Sequence, residues 1–300
     1  MTNVVGLGQA GAAPSARLRG VLDALVAGAD RSALVRADPV ELVHRYTDPH
    51  DQEVAGYLVA ALAYGRVTSI KAAAARLLDA LGPSPARAVD GGRRAKKLEG
   101  FVYRFQRGED LPRLAAALGR VRRRHGSLAA AFAHHDRGEP RYDAAMARFI
   151  GELRAAAGPS PSRGLLFLLP DPGSGGAAKR LCLYLRWMIR PADGLDLGAW
   201  QALAPGLSPA KLVIPLDTHI ARLARHLALT DRRADDLVTA LQITEALATL
   251  APTDPLVYDM ALCHLGISGQ CPRQRDPILC QGCAIRSVCR LGPEPPGWPP

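Results

Sequence analysis

A chain of 300 residues can bury roughly three quarters of its unfolded surface, so one large or two interlocked domains are expected. Hydrophobic residues make up 48% and aromatic residues 5%, with Ala and Leu dominating the apolar set, which favours close-packed helices over strands rich in Val, Ile and Tyr. The net charge of +10 and an isoelectric point near 9.7 point to a polyanionic partner and say little about the fold.

Residues 1–16 are rich in Gly and Ala, show no periodicity and are expected to form a mobile tail. They lack the basic region and apolar run that export requires. The longest apolar stretches, such as Tyr57–Tyr64 and Leu165–Leu169, are too short to span a bilayer. The expectation is a cytoplasmic monomer without membrane contact. Helix starts are marked repeatedly by a small polar residue before Pro: Asp38-Pro39, Asp48-Pro49, Ser84-Pro85, Ser160-Pro161, Ser208-Pro209 and Asp254-Pro255. Asp38 with Glu41 makes a capping-box pattern. With no alternating strand runs, the fold class reads as all-α.

Glu53–Leu81 reads as two helices joined by a tight turn at Tyr64-Gly65-Arg66. Arg93–Arg124 holds eleven Lys or Arg against three acids. Leu114, Leu118 and Val121 keep helical spacing there, so the charges form one face of an amphipathic helix, solvated or set against phosphate. Further on, an apolar helix should end at Pro170, and a Gly-rich hairpin should run through Gly173, Gly175 and Gly176. A second helix should begin near Ala177, with Lys179 in its first turn. Such glycines let backbone N–H groups approach an anion at a helix N-terminus. Asp193–Leu207 reads as an insert with a short helix near Leu197–Leu203, and helices follow near Asp217–Leu229, Ala234–Leu250 and Asp254–Leu265.

The stretch Lys211–Arg225 places one carboxylate, Asp217, at the start of a helix. Pro215 bars helix before it, and Ile220, Leu223 and Leu227 repeat at helical spacing after it. Two readings stand: a cap that satisfies orphan N–H groups, or an ionised carboxylate aimed into a cleft. After the last helix, Cys271, Cys280, Cys283 and Cys289 follow at intervals of eight, two and five residues. In a reducing compartment such crowding points to a metal centre and not to disulfides. Tetrahedral zinc and a [4Fe-4S] cluster both accept four thiolates, and only one C-x2-C pair is present, where zinc sites tend to have two. Cys182 and Cys263 lie on apolar helical stretches and read as buried small hydrophobes.

With these residues in view, the chain resembles the endonuclease III branch of the helix-hairpin-helix DNA glycosylase superfamily. Leu216–Arg222, L-D-T-H-I-A-R, is similar to the segment bearing that family's essential aspartate, which maps onto Asp217. L-P-D-P-G-S-G-G-A-A-K occupies the place of its helix-hairpin-helix, and M-A-L-C-H-L-G-I-S-G-Q-C leads into a loop similar to its iron-sulfur loop. An uncharacterised bacterial set of relatives shares A-K-R-x-x-x-x-L-R-W-M and P-L-D-T-H more closely, and gives a fold without a substrate.

The resemblance implies two interlocked helical domains and duplex DNA across the cleft between them. Residues 17–50 with 206–291 would form the cluster-bearing domain. Residues 51–205 would form a six-helix domain with its helix-hairpin-helix near 165–190, and 292–300 a Pro-rich tail. It further implies base-excision repair by a DNA glycosylase acting on a flipped base, with Asp217 as catalytic carboxylate. Gly173, Gly175 and Gly176 would grip a phosphate, and Tyr64 or Arg66 would fill the gap left in the stack. A [4Fe-4S] cluster, with zinc as the alternative, would sit on Cys271, Cys280, Cys283 and Cys289. The hairpin is two residues longer than the family's usual one, and its glycines align Ala177 where bifunctional members carry a lysine. Lys179 is the nucleophile of an AP lyase only if the extra residues shift the helix register, so a water-based glycosylase is slightly favoured. A non-catalytic DNA-binding module on the same scaffold and a zinc-stabilised RNA or protein adaptor are the alternatives.

Overall fold

A computed structural model describes residues 12–92 and 95–292. Among these the chain is all-helical, with no strand and one isolated bridge between Tyr103 and Gln106. The α-helices are α1 (Ala12–Ala27), α2 (Arg31–Ala37), α3 (Pro49–Ala61), α4 (Val67–Leu81), α5 (Pro85–Gly91), α6 (Asp110–His125), α7 (Leu128–His135) and α8 (Asp143–Ala156). They continue with α9 (Arg163–Leu168), α10 (Lys179–Ile189), α11 (Ala199–Leu203), α12 (Thr218–His226), α13 (Leu237–Ala248), α14 (Asp259–Ile267) and α15 (Pro277–Gln281). No helix among the described residues is long and apolar enough to cross a membrane.

The local signals work unevenly. Asp48 and Ser84 cap α3 and α5, their side chains accepting from His50 N and Arg87 N. Asp38, Ser208 and Asp254 open 3-10 segments at Pro39–Arg45, Pro209–Lys211 and Pro255–Tyr258. Near Ser160 the working cap is Ser162, which starts α9. The capping box does not form, because Asp38 N–H donates to Val35 O and Glu41 pairs with Lys71. The expected tail of 1–16 is shorter than read. Ala12 and Ala13 already belong to α1, as their high helix propensity permits, and Leu18, Val21, Leu22 and Leu25 seat that helix on the core. The rest of that tail, 1–11, and the Pro-rich residues 293–300 lie outside the described residues.

One hydrophobic cluster runs from Leu22 to Ile285, through segments assigned to both expected domains. The span 51–205 carries α3 to α11 where six helices were expected, because short helices such as α5, α9 and α11 fill its connections. A buried carboxylate ties this part together. Glu53 of α3 is 0% exposed and accepts from Leu128 N and Ala129 N at 3.0 Å each. It also accepts from Trp200 Nε1 of α11 at 3.2 Å and pairs with Arg122 of α6. Buried charge of this kind persists only when its lone pairs are occupied.

The same contacts revise the reading of the basic run. Arg122 is buried between Glu53 and Asp90. Arg113 and Arg120 donate to carbonyls between Ala156 and Ser160, at and beyond the end of α8. Arg123 donates to Asp90 O and Arg124 to Glu152. On α6, Arg122 and Arg113 thus clamp neighbouring segments, while Arg120, Arg123 and Arg124 stay exposed, so the expected solvated face stands in part. Arg93 and Arg94 lie outside the described residues.

Candidate functional site

The apolar residues Leu212, Val213, Ile214 and Leu216 are buried, and Ile214 N donates to Thr244 Oγ1 of α13 at 3.0 Å. This anchored, extended approach delivers Asp217 to the start of α12 as its N-cap. The two carboxylate oxygens are used differently. Oδ1 accepts from His219 N and Ile220 N, both at 2.9 Å. Oδ2 stands 3.0 Å from Lys179 Nζ and 4.0 Å from Cys263 Sγ of α14. A Cβ on Gly266 would lie 2.8 Å from His219 Cβ, so the glycine lets α14 lie against the first turn of α12.

Lys179 reaches Asp217 because the backbone before α10 delays the start of that helix. Pro172–Ser174 form a 3-10 turn, Gly175 takes φ +87°, and Ala178 sits in the left-handed region at φ +47° immediately before α10. The helix thus begins at Lys179, two residues later than Ala177 suggested, and its first side chain points at the carboxylate. A left-handed alanine costs energy. It is held here by packing, since Ala178 is 9% exposed.

Both partners are charged at neutral pH. Burial raises the Asp217 carboxyl, but the Lys179 ammonium and the N–H groups of Ile220 and His219 outweigh it and hold it below its ordinary value. Burial lowers Lys179, yet the Asp217 carboxylate beside it, with Asp38 farther off, brings it above its ordinary value. Burial and the neighbouring carboxylate keep the Cys263 thiol protonated. Asp38, read from sequence only as a cap, belongs to the same electrostatic neighbourhood. The arrangement offers an ionised carboxylate on a helix N-terminus, an amine within hydrogen-bond reach, and a thiol that stays neutral.

Buried ion pairs fix α10 behind this site. Arg186 meets Asp259 at 2.8 Å and Asp196 at 3.3 Å. Arg190 pairs with Asp196 and meets Asp254 at 2.9 Å. The insert after α10 is therefore bolted back onto that helix and onto the start of α14. Sequence reading missed this network; the arginines of L-R-W-M-I-R recur at a four-residue spacing on one helix face, which was its only signal.

The other expected site residues fall as follows. Gly173, Gly175 and Gly176 are exposed at the hairpin tip, but Gly173 N–H already donates to Asp171 Oδ1 at 2.8 Å. Gly176 N–H meets no partner among the described residues. Arg66 is exposed at the start of α4 and makes no side-chain cap. Tyr64 is half-buried, packed edge-on against Tyr103 and Phe167 at 5.1 and 4.8 Å between ring centres. It is thus part of an aromatic cluster and not a free side chain.

Cys271, Cys280, Cys283 and Cys289 line one small pocket, together with His226 and Ile285. Among the described residues no group of three or more His, Cys, Asp or Glu is drawn close enough to hold a metal ion. The donor set itself is four thiols facing one space, and burial pushes the Cys271 and Cys289 thiols up. Arg290 N donates to His226 O at 2.7 Å, tying the loop to the end of α12, while the Arg290 side chain pairs with Asp231 at 2.6 Å.

A family model described as "Protein of unknown function (DUF2400)" matches residues 38–268. The match contains Lys179 and Asp217 and ends before Cys271. No curated protein and no solved structure matches the chain.

Proposed function

We propose that this chain, which belongs to the DUF2400 family, is a DNA glycosylase with the two-domain helix-hairpin-helix architecture of the endonuclease III branch. The observation that carries the reading is the 3.0 Å approach of Lys179 Nζ to Asp217 Oδ2, between residues that the resemblance alone left in different registers. A flipped nucleotide placed over this pair would meet a carboxylate able to stabilise positive charge developing on the sugar. The amine rests as an ammonium and must first lose a proton to solvent, Asp217 staying ionised. The Lys179 nitrogen would then bond to the sugar carbon as the bond to the base breaks, the base leaving with the bonding pair and taking up a proton; breaking the bond from that carbon to the ring oxygen, which is protonated as the ring opens, would give a Schiff base. Gly175 and Gly176 would position the backbone phosphate in this reading, since the Gly173 amide is already engaged.

Borohydride reduction during incubation with DNA containing an abasic site is the test. A covalent protein–DNA adduct is expected, and Lys179→Gln should abolish it. On duplexes carrying damaged bases, base release without any adduct would reassign Lys179 to a counter-ion and the attack to water. Neither release nor adduct across a panel of damaged bases would leave a DNA-binding scaffold.

Cys271, Cys280, Cys283 and Cys289 would hold a [4Fe-4S] cluster, which four thiolates suit. Bound there it would supply structure and no step of the reaction. Anaerobically purified protein is expected to contain iron and acid-labile sulfide in equal amounts; stoichiometric zinc without sulfide would favour the adaptor reading.

A further inference from the structure

An exposed aromatic side chain, Phe105, lies within the basic run that the sequence showed only as charge. The Tyr103–Gln106 bridge, with Gln106 N donating to Tyr103 O at 3.0 Å, closes a tight turn. Arg104 and Phe105 form its tip. Both are exposed, Phe105 at 49%. The turn is pinned to the joint between α3 and α4, where Tyr103 OH donates to Tyr64 O at 2.7 Å. The Phe105 ring packs against Phe167 and Tyr64, with centres 4.6 and 5.6 Å away. Arg180, the residue after Lys179, lays its guanidinium 3.9 Å from the Phe167 ring centre. A continuous run of edge-to-face and cation–ring contacts therefore leads from the turn to the helix that carries the candidate amine.

Two features of this turn are unfavourable in isolation. Arg104 holds φ +57°, a conformation uncommon outside Gly, Asn and Asp. Gln106 is fully buried, and neither its amide nitrogen nor its amide oxygen meets a partner among the described residues. Strain and an orphaned polar group concentrate where structure serves a ligand more than stability. The charge around the tip selects the ligand. Arg66, Arg104 and Arg107 are exposed and pair with no carboxylate among the described residues, the Arg104 guanidinium lying 5.4 Å from the Tyr64 ring centre. A flat exposed ring beside unpaired guanidinium groups suits a nucleobase with its phosphate, because stacking accepts any base face and the cation takes the backbone.

We infer that the Tyr103–Gln106 turn is a stacking finger for an unpaired base of bound DNA, with Phe105 against the base and Arg104 at the adjoining phosphate. The inference rests on the proposed DNA partner. It moves the stack-filling role from Tyr64 and Arg66 to the tip beside them, since Tyr64 serves as the floor on which Phe105 lies.

Binding without chemistry tests it. The full-length protein is titrated by fluorescence anisotropy against a short duplex and against the same duplex carrying a one-nucleotide bulge. The wild type should prefer the bulged duplex, and Phe105→Ala should lower that preference by about 5- to 150-fold while leaving affinity for the paired duplex unchanged. Phe105→Trp should keep the preference, and its indole emission should be quenched by the bulged duplex. Arg104→Ala should weaken both duplexes and reduce the slope of log affinity against log salt by about 0.9. Phe105→Ala with the wild-type preference and an unchanged melting curve would overturn the finger and leave the glycosylase reading standing, as would a wild type that does not distinguish the duplexes. Absence of binding to either duplex would overturn both readings.

Discussion

Asp217→Asn should cut base release by about 10²- to 10⁴-fold while the protein stays folded. The separation follows from the two oxygens. Oδ1 serves the cap through His219 N and Ile220 N, and Asn supplies an equivalent oxygen at an N-cap. Oδ2 alone faces Lys179, and only there does the exchange remove charge. Lys179 is 38% exposed, so solvent screens the pair and its loss should cost no more than ~1 kcal/mol, a fall in melting temperature of about 2–4 °C. The pH dependence has a definite sign. Asp217 is held below its ordinary 3.8, so its contribution is present above that pH and lost only as pH falls through the folded value. Lys179 is raised above its ordinary 10.5, so its contribution is present below that pH and lost as pH rises through the folded value. The stability difference between wild type and Asp217→Asn should therefore be flat from about pH 5 to 9. Full activity in the Asn variant would return Asp217 to a helix cap and nothing more.

Arg186→Met should produce the largest loss of stability, about 3–5 kcal/mol at pH 8. Arg186 is 1% exposed and stands between Asp196 and Asp259, so its removal leaves two buried carboxylates without their shared cation. Burial pushes Asp259 up to about 6 even with the arginine present. A raised carboxyl stabilises the fold fully below its ordinary pKa, and that contribution is lost as pH rises through the folded value. Without Arg186 the folded value climbs further, so protonation should relieve the variant at pH 5 and not at pH 8. Urea denaturation at the two pH values measures this. An equal loss at both, or none, would show that the network does not hold α10 in place.

What could be read from the sequence tracks how local the cause is. The all-α class follows from Ala and Leu content and from helical spacing around Leu114, Leu118 and Val121, and α3, α4, α12 and α13 fall within a few residues of their expected bounds. Asp217 was legible because Pro215 before it and Ile220 after it define a helix start. The register of Lys179 was not, since no residue type signals that Ala178 will adopt a left-handed φ; tertiary packing imposes it. The basic run was legible only in part, for a related reason. Composition counts guanidinium groups but does not reveal that those of Arg113 and Arg120 end on carbonyls of a neighbouring segment. Arg186, Asp196 and Asp259 are likewise unremarkable in sequence, because their meaning lies in a pairing between distant segments.

Helix α12 has one further consequence. Asp217 caps one end, and at the other the His226 ring lies 3.6 Å from Cys271 Sγ while its carbonyl holds Arg290 N–H. Nine residues make a rod about 14 Å long, stiff along its axis compared with the loops at either tip. Its two ends are mechanically in series. Whatever shifts the loop of Cys271 to Cys289 therefore bears on the C-terminal tip through His226, and a stiff rod carries such a shift towards the carboxylate at the far tip.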